Sequence, residues 1–249
     1  MFEGKIKVLN KEIPRTLLGT SPFVAAPQFG HRARLYQIDL YNNPDNIFKI
    51  IKKSFEMGIT GIQVIPYSPV IEALQLAHDV GISMDIIGTI RPEKEDEDFE
   101  TFSDLNAISM LIHGVTTDAG DWDFIESNLL RIKDEGVIPG LVTHMPFQTT
   151  ASLLKSPLLD LFDIYSVPVN KLGYLMDCDM YGVDERSKLN GLLNEMNKIV
   201  IAKKVLAAGV LKPKEAFDYL KTVNFPDIVA LGIASEAEAE ETFKLLASQ

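Results

Sequence analysis

Helix-like and strand-like segments alternate along this chain from end to end, and that alternation constrains the fold more than any other feature. The first clear unit is NNPDNIFKIIKKSFEMG followed by ITGIQVIP. Asn43 is placed to cap a helix and Pro44 suits its first position. Ile47, Ile50, Ile51 and Phe55 share one face, and Gly58 can end it. VIEALQLAHDVG repeats the plan, with Val70, Ala73, Leu74 and Ala77 on one face and Gly81 at the stop. Apolar runs recur in MDIIGTIRP, AISMLIHGV, VIPGLVTH, FDIYSVPVN, KIVIAKKVLAAG and DIVALGIAS. With RTLLGTS near the start, they make eight candidate strands.

Strands that are continuously apolar and separated by amphipathic helices belong to a parallel sheet covered by helices. Eight such units in 249 residues favour closure into a barrel over an open sheet. No G-x-G-x-x-G follows the first strand, which counts against a dinucleotide-binding half of the open type. The expected fold class is therefore α/β, a (β/α)8 or TIM barrel, with residues 1–249 forming one domain. KIKVLNKEIPRTLLG, with an Asn-Lys-Glu turn between two extended runs, is expected to be a hairpin plugging the N-terminal mouth.

Net charge of -11 argues against nucleic acid or an anionic membrane as partner, since both need a basic surface. A small-molecule substrate is the expected partner. The lone Cys178 excludes an internal disulfide and a cysteine-rich metal site. MFEGKIKVLN has no apolar signal region and no apolar run reaches membrane-spanning length, so a cytoplasmic location is expected.

In a barrel of this kind the reacting groups project from the C-terminal ends of the strands. Those positions hold Thr20, Ser21, Gln63, Tyr67, Thr89, Arg91, His113, Thr143, His144, Asn170, Lys203 or Lys204, and Gly232. His113 and His144 end the fourth and fifth candidate strands, which makes them neighbours, and histidine there can act as acid or base near neutral pH. A hydrogen-bonded core histidine is the alternative for each. A zinc site lacks an evident third ligand, so no metal is expected; Asp118 and Asp121 read as solvated or capping groups.

A lysine in the seventh strand is unusual because strand interiors here are buried. Strict alternation would let only one of Lys203 and Lys204 point inward, where it could pair with an anion or, if desolvated, form a Schiff base. Gly209 and Gly232, beside a helix starting at the capping-box pair Ser235 and Glu238, occupy the position of a phosphate site. Glu236, Glu238, Glu240 and Glu241 would equally satisfy that helix end without a ligand. Thr143, Asn170, Gly209, Gly232 and Ser235 are the candidate cofactor contacts. His31, Arg32 and Arg34 form a small cationic loop, suited to an anion or to surface ion pairs.

EIPRTLLGTS, GLVTHMPFQTTASLL, DIYSVPVN, IVIAKKVLAAGVLKPKEAFDYL and DIVALGIASEAEAEETFKLL resemble, in that order along the chain, segments of the aldo/keto reductases. The resemblance implies NADP-dependent carbonyl reduction by an aspartate, tyrosine, lysine and histidine. His113 in LIHGV matches the histidine, and Tyr67 matches the tyrosine with a small shift. Gln63 stands near the aspartate's position and Thr89 near the lysine's, and the last helix lacks the arginine that would hold a 2′-phosphate. The resemblance thus implies the barrel without the complete tetrad, and fold alone does not carry reaction type. Three functions follow: a small-molecule enzyme using His113, Tyr67, Lys204 and His144, with NADP as the implied cofactor; a non-redox lyase, isomerase or aldolase using a barrel lysine; and a non-catalytic ligand-binding barrel.

Overall fold

The computed structural model describes residues 1–249. Two short strands, β1 (Lys5–Val8) and β2 (Lys11–Pro14), form an antiparallel hairpin. Its tight turn is Leu9–Asn10, one step earlier than the Asn-Lys-Glu turn read from the sequence, and Leu9 takes a left-handed φ of 54°. Eight parallel strands then close into a barrel: β3 (Thr16–Gly19), β4 (Gly61–Val64), β5 (Asp85–Ile90), β6 (Ser109–Ile112), β7 (Ile138–Val142), β8 (Ile164–Pro168), β9 (Ile199–Lys203) and β10 (Ile228–Gly232). Each strand pairs with its sequence neighbour, and β10 closes on β3 through the register Val229–Thr16 to Gly232–Gly19.

Two apolar cores result from the alternation of side chains along each strand. Leu17, Ile87, Leu111, Val142, Ile164 and Ile201 fill the barrel interior, and Val8 and Ile13 of the hairpin join this inner cluster. The hairpin therefore seals the floor. A larger outer cluster, including Ile47, Ile51, Val70, Phe102, Ile125 and Phe243, fastens the helices to the outside of the sheet. The expected caps form: Asn43 accepts the amide of Asn46 at 3.1 Å, with Pro44 opening helix Pro44–Glu56.

Where helix and sheet approach most closely the chain uses glycine. A Cβ at Gly88 would stand 2.7 Å from the Phe102 ring. No helix is long and apolar enough to cross a membrane.

The first irregular connection, after β3, holds a single 3-10 turn (Pro27–Phe29) and helix His31–Asp39. That helix buries none of its residues and lies over the C-terminal mouth, to which it contributes Arg32 and Tyr36. The second, after β8, is tied down by Asn170, whose side chain accepts the amides of Leu172 and Tyr174 at 3.2 and 2.8 Å and donates to the Tyr174 carbonyl.

Candidate active site

The strand ends surround a cavity of about 530 Å³ at the C-terminal mouth. Gly19, Thr20 and Ser21 of the β3 end, Gln63, Thr89, His113 and His144 form one side. Lys203, Lys204, the turn through Gly209 and Gly232 form the other, and the His31–Asp39 helix roofs it. The cavity continues to Glu238, Glu241 and Thr242 on the last helix. Alternation places the floor: Leu17, Ile87 and Leu111 lie one inward position below Gly19, Thr89 and His113.

The lysines depart from the sequence reading. β9 stops at Lys203, and Lys204 adopts a left-handed φ of 56°. That turn breaks the in-and-out alternation, so both side chains enter the cavity instead of one. Their amines lie 3.1 Å (Lys203) and 3.3 Å (Lys204) from the same atom, Nδ1 of His144. Burial lowers both lysines, and the charge of Lys204 lowers Lys203 further: Lys203 falls well below the ordinary lysine value and Lys204 to about 8, with Asp118 opposing the shift in each.

His113 and His144 meet as the sequence suggested, edge to face with centroids 5.6 Å apart. Burial first, and the lysine charges second, hold His144 at about 2 and His113 at about 4, so both rings are neutral at physiological pH. Nδ1 of His113 accepts the amide of Val115 at 3.1 Å, which assigns its proton to Nε2. Both lysine amines approach Nδ1 of His144, which would accept from them in a ring protonated on Nε2. The His144 ring rests on Gly114, where a Cβ would come within 2.8 Å of Cδ2.

Asp118, expected to be a solvated loop group, holds this arrangement in place. Its Oδ1 accepts the hydroxyls of Thr143 at 2.5 Å and Thr149 at 2.7 Å, and its Oδ2 accepts the amide of His144 at 2.8 Å. Thr143 is thus a buried anchor for the end of β7 and does not line the cavity. Asp121 behaves as expected and caps helix Trp122–Asp134. Asp177, unremarked in the sequence, receives the amides of Phe147 and Gln148 at the start of helix Gln148–Leu153.

Several candidates lie elsewhere. Tyr67 is outside the cavity, with the Arg91 guanidinium 5.2 Å from its ring centre. Arg91 is committed to the fully buried Asp98, through Nε and Nη2 at 3.1 and 2.6 Å and through its amide at 2.6 Å. Asn170 and Ser235 serve the backbone: Ser235 accepts the amide of Glu238 at 3.1 Å, while the Glu238 carboxylate reaches one residue further back, to the amide of Ala234. Gly209 and Gly232 do line the cavity, and Arg32 lies so close to Gly209 that a Cβ there would collide with its Nη1. Arg34 turns to Gln37 on the surface. Gln63 and Thr89 face each other, the amide donating to the hydroxyl at 3.3 Å. No cluster of three or more metal-ligating side chains occurs.

No protein-family profile matches the chain, and no curated protein does. Solved structures do. One described as an aldo-keto reductase from Pseudomonas aeruginosa aligns over 99% of this chain and 96% of its own, with a TM-score of 0.65 and 16% identity. An aldo/keto reductase from Brucella melitensis aligns over 97% and 93%, with a TM-score of 0.63 and 13% identity. A mutant protein crystallised in complex with NADPH aligns over 98% and 88%, with a TM-score of 0.64 and 10% identity. On a strongly divergent sequence, this chain carries the (β/α)8 barrel fold of the aldo/keto reductases.

Proposed function

We propose that this protein is an enzyme acting on a small carbonyl compound, with the paired lysines at the end of β9 as its reacting groups. The observation that carries the reading is the convergence of both lysine amines on Nδ1 of His144 at the head of the cavity. A desolvated lysine beside a second cation is the arrangement that makes an amine nucleophilic at neutral pH. His144 is too weak a base to take a proton from an ammonium group; it orients the amine by accepting one N–H, which leaves the lone pair free for the cavity. His113, neutral and protonated on Nε2, supplies a donor for a carbonyl oxygen. In imine formation the amine nitrogen bonds to the carbonyl carbon, and the oxygen departs as water with two protons.

Borohydride trapping over a panel of aldehydes and ketones tests this. The expected product is a stable secondary amine on Lys203 or Lys204, adding the ligand's mass less one oxygen atom. Absence of any adduct across the panel, in protein shown to be folded, refutes the amine reading.

A second reading, nicotinamide-dependent carbonyl oxidoreduction with NADP as cofactor, is favoured by one observation. The cavity runs from the barrel mouth past Gly209 and Gly232 to the last helix, and a structural neighbour holds NADPH. Arg32 is the cation against the glycine turn that would meet a phosphate there, whereas Glu238 and Glu241 on the same cavity oppose it. The tyrosine and lysine that would serve as acid in such a site are missing: Tyr67 lies outside the cavity, and Thr89 lines it where the lysine would stand. Fluorescence titration with NADPH separates the readings: no binding at millimolar cofactor eliminates the second.

A further inference from the structure

The lysine pair specifies more than an amine. None of the ten ion pairs in the molecule includes Lys203 or Lys204. Asp118 is the negative charge that acts on both, yet its two oxygens are already engaged by Thr143, Thr149 and the amide of His144. The acids that line the cavity, Glu238 and Glu241, sit on the last helix, and Glu238 is turned to the amide of Ala234. Arg32 and Lys212, also on the cavity wall, add positive charge. A largely desolvated cation without a counter-charge is unfavourable, so a site of this kind is completed by an anion.

The two lysines also differ in placement. Lys203 is the last residue of β9 and continues the inward series Ile201, Lys203. Lys204 enters from the left-handed turn that follows. Because both amines reach one ring nitrogen, a single small molecule can meet both of them.

Resting on the amine reading above, we propose that the substrate is a 2-oxo acid. Its ketone carbon meets the amine of Lys203, and its carboxylate is held by the ammonium group of Lys204. A neutral ketone would leave the second lysine unpaired; a 2-oxo acid satisfies both with groups on neighbouring carbons.

The test is borohydride trapping with pyruvate and with methyl pyruvate, read by intact mass and peptide mapping, on wild type, Lys203→Met, Lys204→Met and Lys204→Arg. Wild type is expected to form the pyruvate adduct on Lys203 and Lys203→Met to lose it. Lys204→Met is expected to lower pyruvate trapping about ten- to a hundredfold relative to methyl pyruvate, the worth of one charge-assisted hydrogen bond. Lys204→Arg, which keeps the cation, is expected to restore most of the preference. Adducts on Lys203 with both compounds, in a ratio that Lys204→Met does not change, overturn the 2-oxo acid assignment and leave the amine reading standing. No adduct with either compound, while another aldehyde or ketone of the panel traps a lysine, also overturns the 2-oxo acid assignment alone; no adduct across the whole panel overturns both.

Discussion

Removing the Asp118 carboxylate should loosen the site and the barrel end together, and the size of the effect follows from its bonds. Asp118→Ala leaves three donors without an acceptor: the Thr143 and Thr149 hydroxyls and the His144 amide, which now bond at 2.5, 2.7 and 2.8 Å. Thr143 and Thr149 are buried, so little water replaces the carboxylate at their hydroxyls. Each stranded donor costs about 1–3 kcal/mol. Partial hydration at the half-buried Asp118 position brings the expected total to about 3–5 kcal/mol. For a chain of this size that corresponds to a fall in Tm of roughly 6–20 °C. Asp118→Asn retains one acceptor oxygen and should cost about half as much. The electrostatic effect is separate. Asp118 raises the pKa of both lysines, so its loss should carry Lys204 below its present value of about 8. Calorimetry measures the first quantity, and 15N or 13C NMR titration of the lysine side chains the second. A destabilisation below about 1 kcal/mol with an unmoved Lys204 titration would refute the claim that this carboxylate fixes the end of β7.

Three further outcomes are expected. His113 and His144 titrate in the folded protein at about 4 and about 2, below the ordinary 6.5. Their neutral burial therefore favours folding fully above pH 6.5, and this is lost as pH falls toward the folded values because the unfolded chain binds the extra protons. By pH 5 the loss is at most about 2 kcal/mol per ring, visible as a falling urea midpoint, and a midpoint flat from pH 7 to 5 would contradict it. Gly114→Ala inserts a Cβ within 2.8 Å of the His144 ring. It should displace that ring and reduce lysine trapping at least tenfold while circular dichroism shows an intact barrel; unchanged trapping would mean His144 does not orient the amines. Arg91→Ala strands the fully buried Asp98 and should cost about 3–5 kcal/mol, with Arg91→Lys recovering only part; loss under 1 kcal/mol would exclude Arg91 as its counter-charge.

Local information made much of this molecule legible. The Asn43–Pro44 start, the stop at Gly58 and the Ile47, Ile50 and Ile51 stripe form a helix because capping, φ restriction and a 3.6-residue period act within a few residues. Apolar runs between such helices specify parallel strands, and eight of them close. The same count placed His113 and His144 on adjacent strand ends, where their rings meet. Tyr67 and Ser235 were also at loop positions that could have faced the cavity, but rotamer and backbone direction took one to Arg91 and the other to its own helix end.

What the sequence by itself determined was the periodic part: which segments are helix or strand, which faces are apolar, and which polar side chains fall at the C-terminal ends of the strands. The meeting of Lys203, Lys204 and His144 was decided only by the tertiary structure. Sequence alternation assumes that the strand continues, and Lys204 leaves it through a left-handed φ that its residue type does not announce. The partners lie 59 and 60 residues apart in the chain, so their contact depends on barrel closure and register rather than on spacing. Asp118 illustrates the same point: a loop aspartate in the sequence becomes a clamp because the β7 end brings Thr143 and the amide of His144 to it. Short-range sterics and hydrophobic period write the elements, while the site is made by long-range closure, which places side chains where local rules say nothing of them.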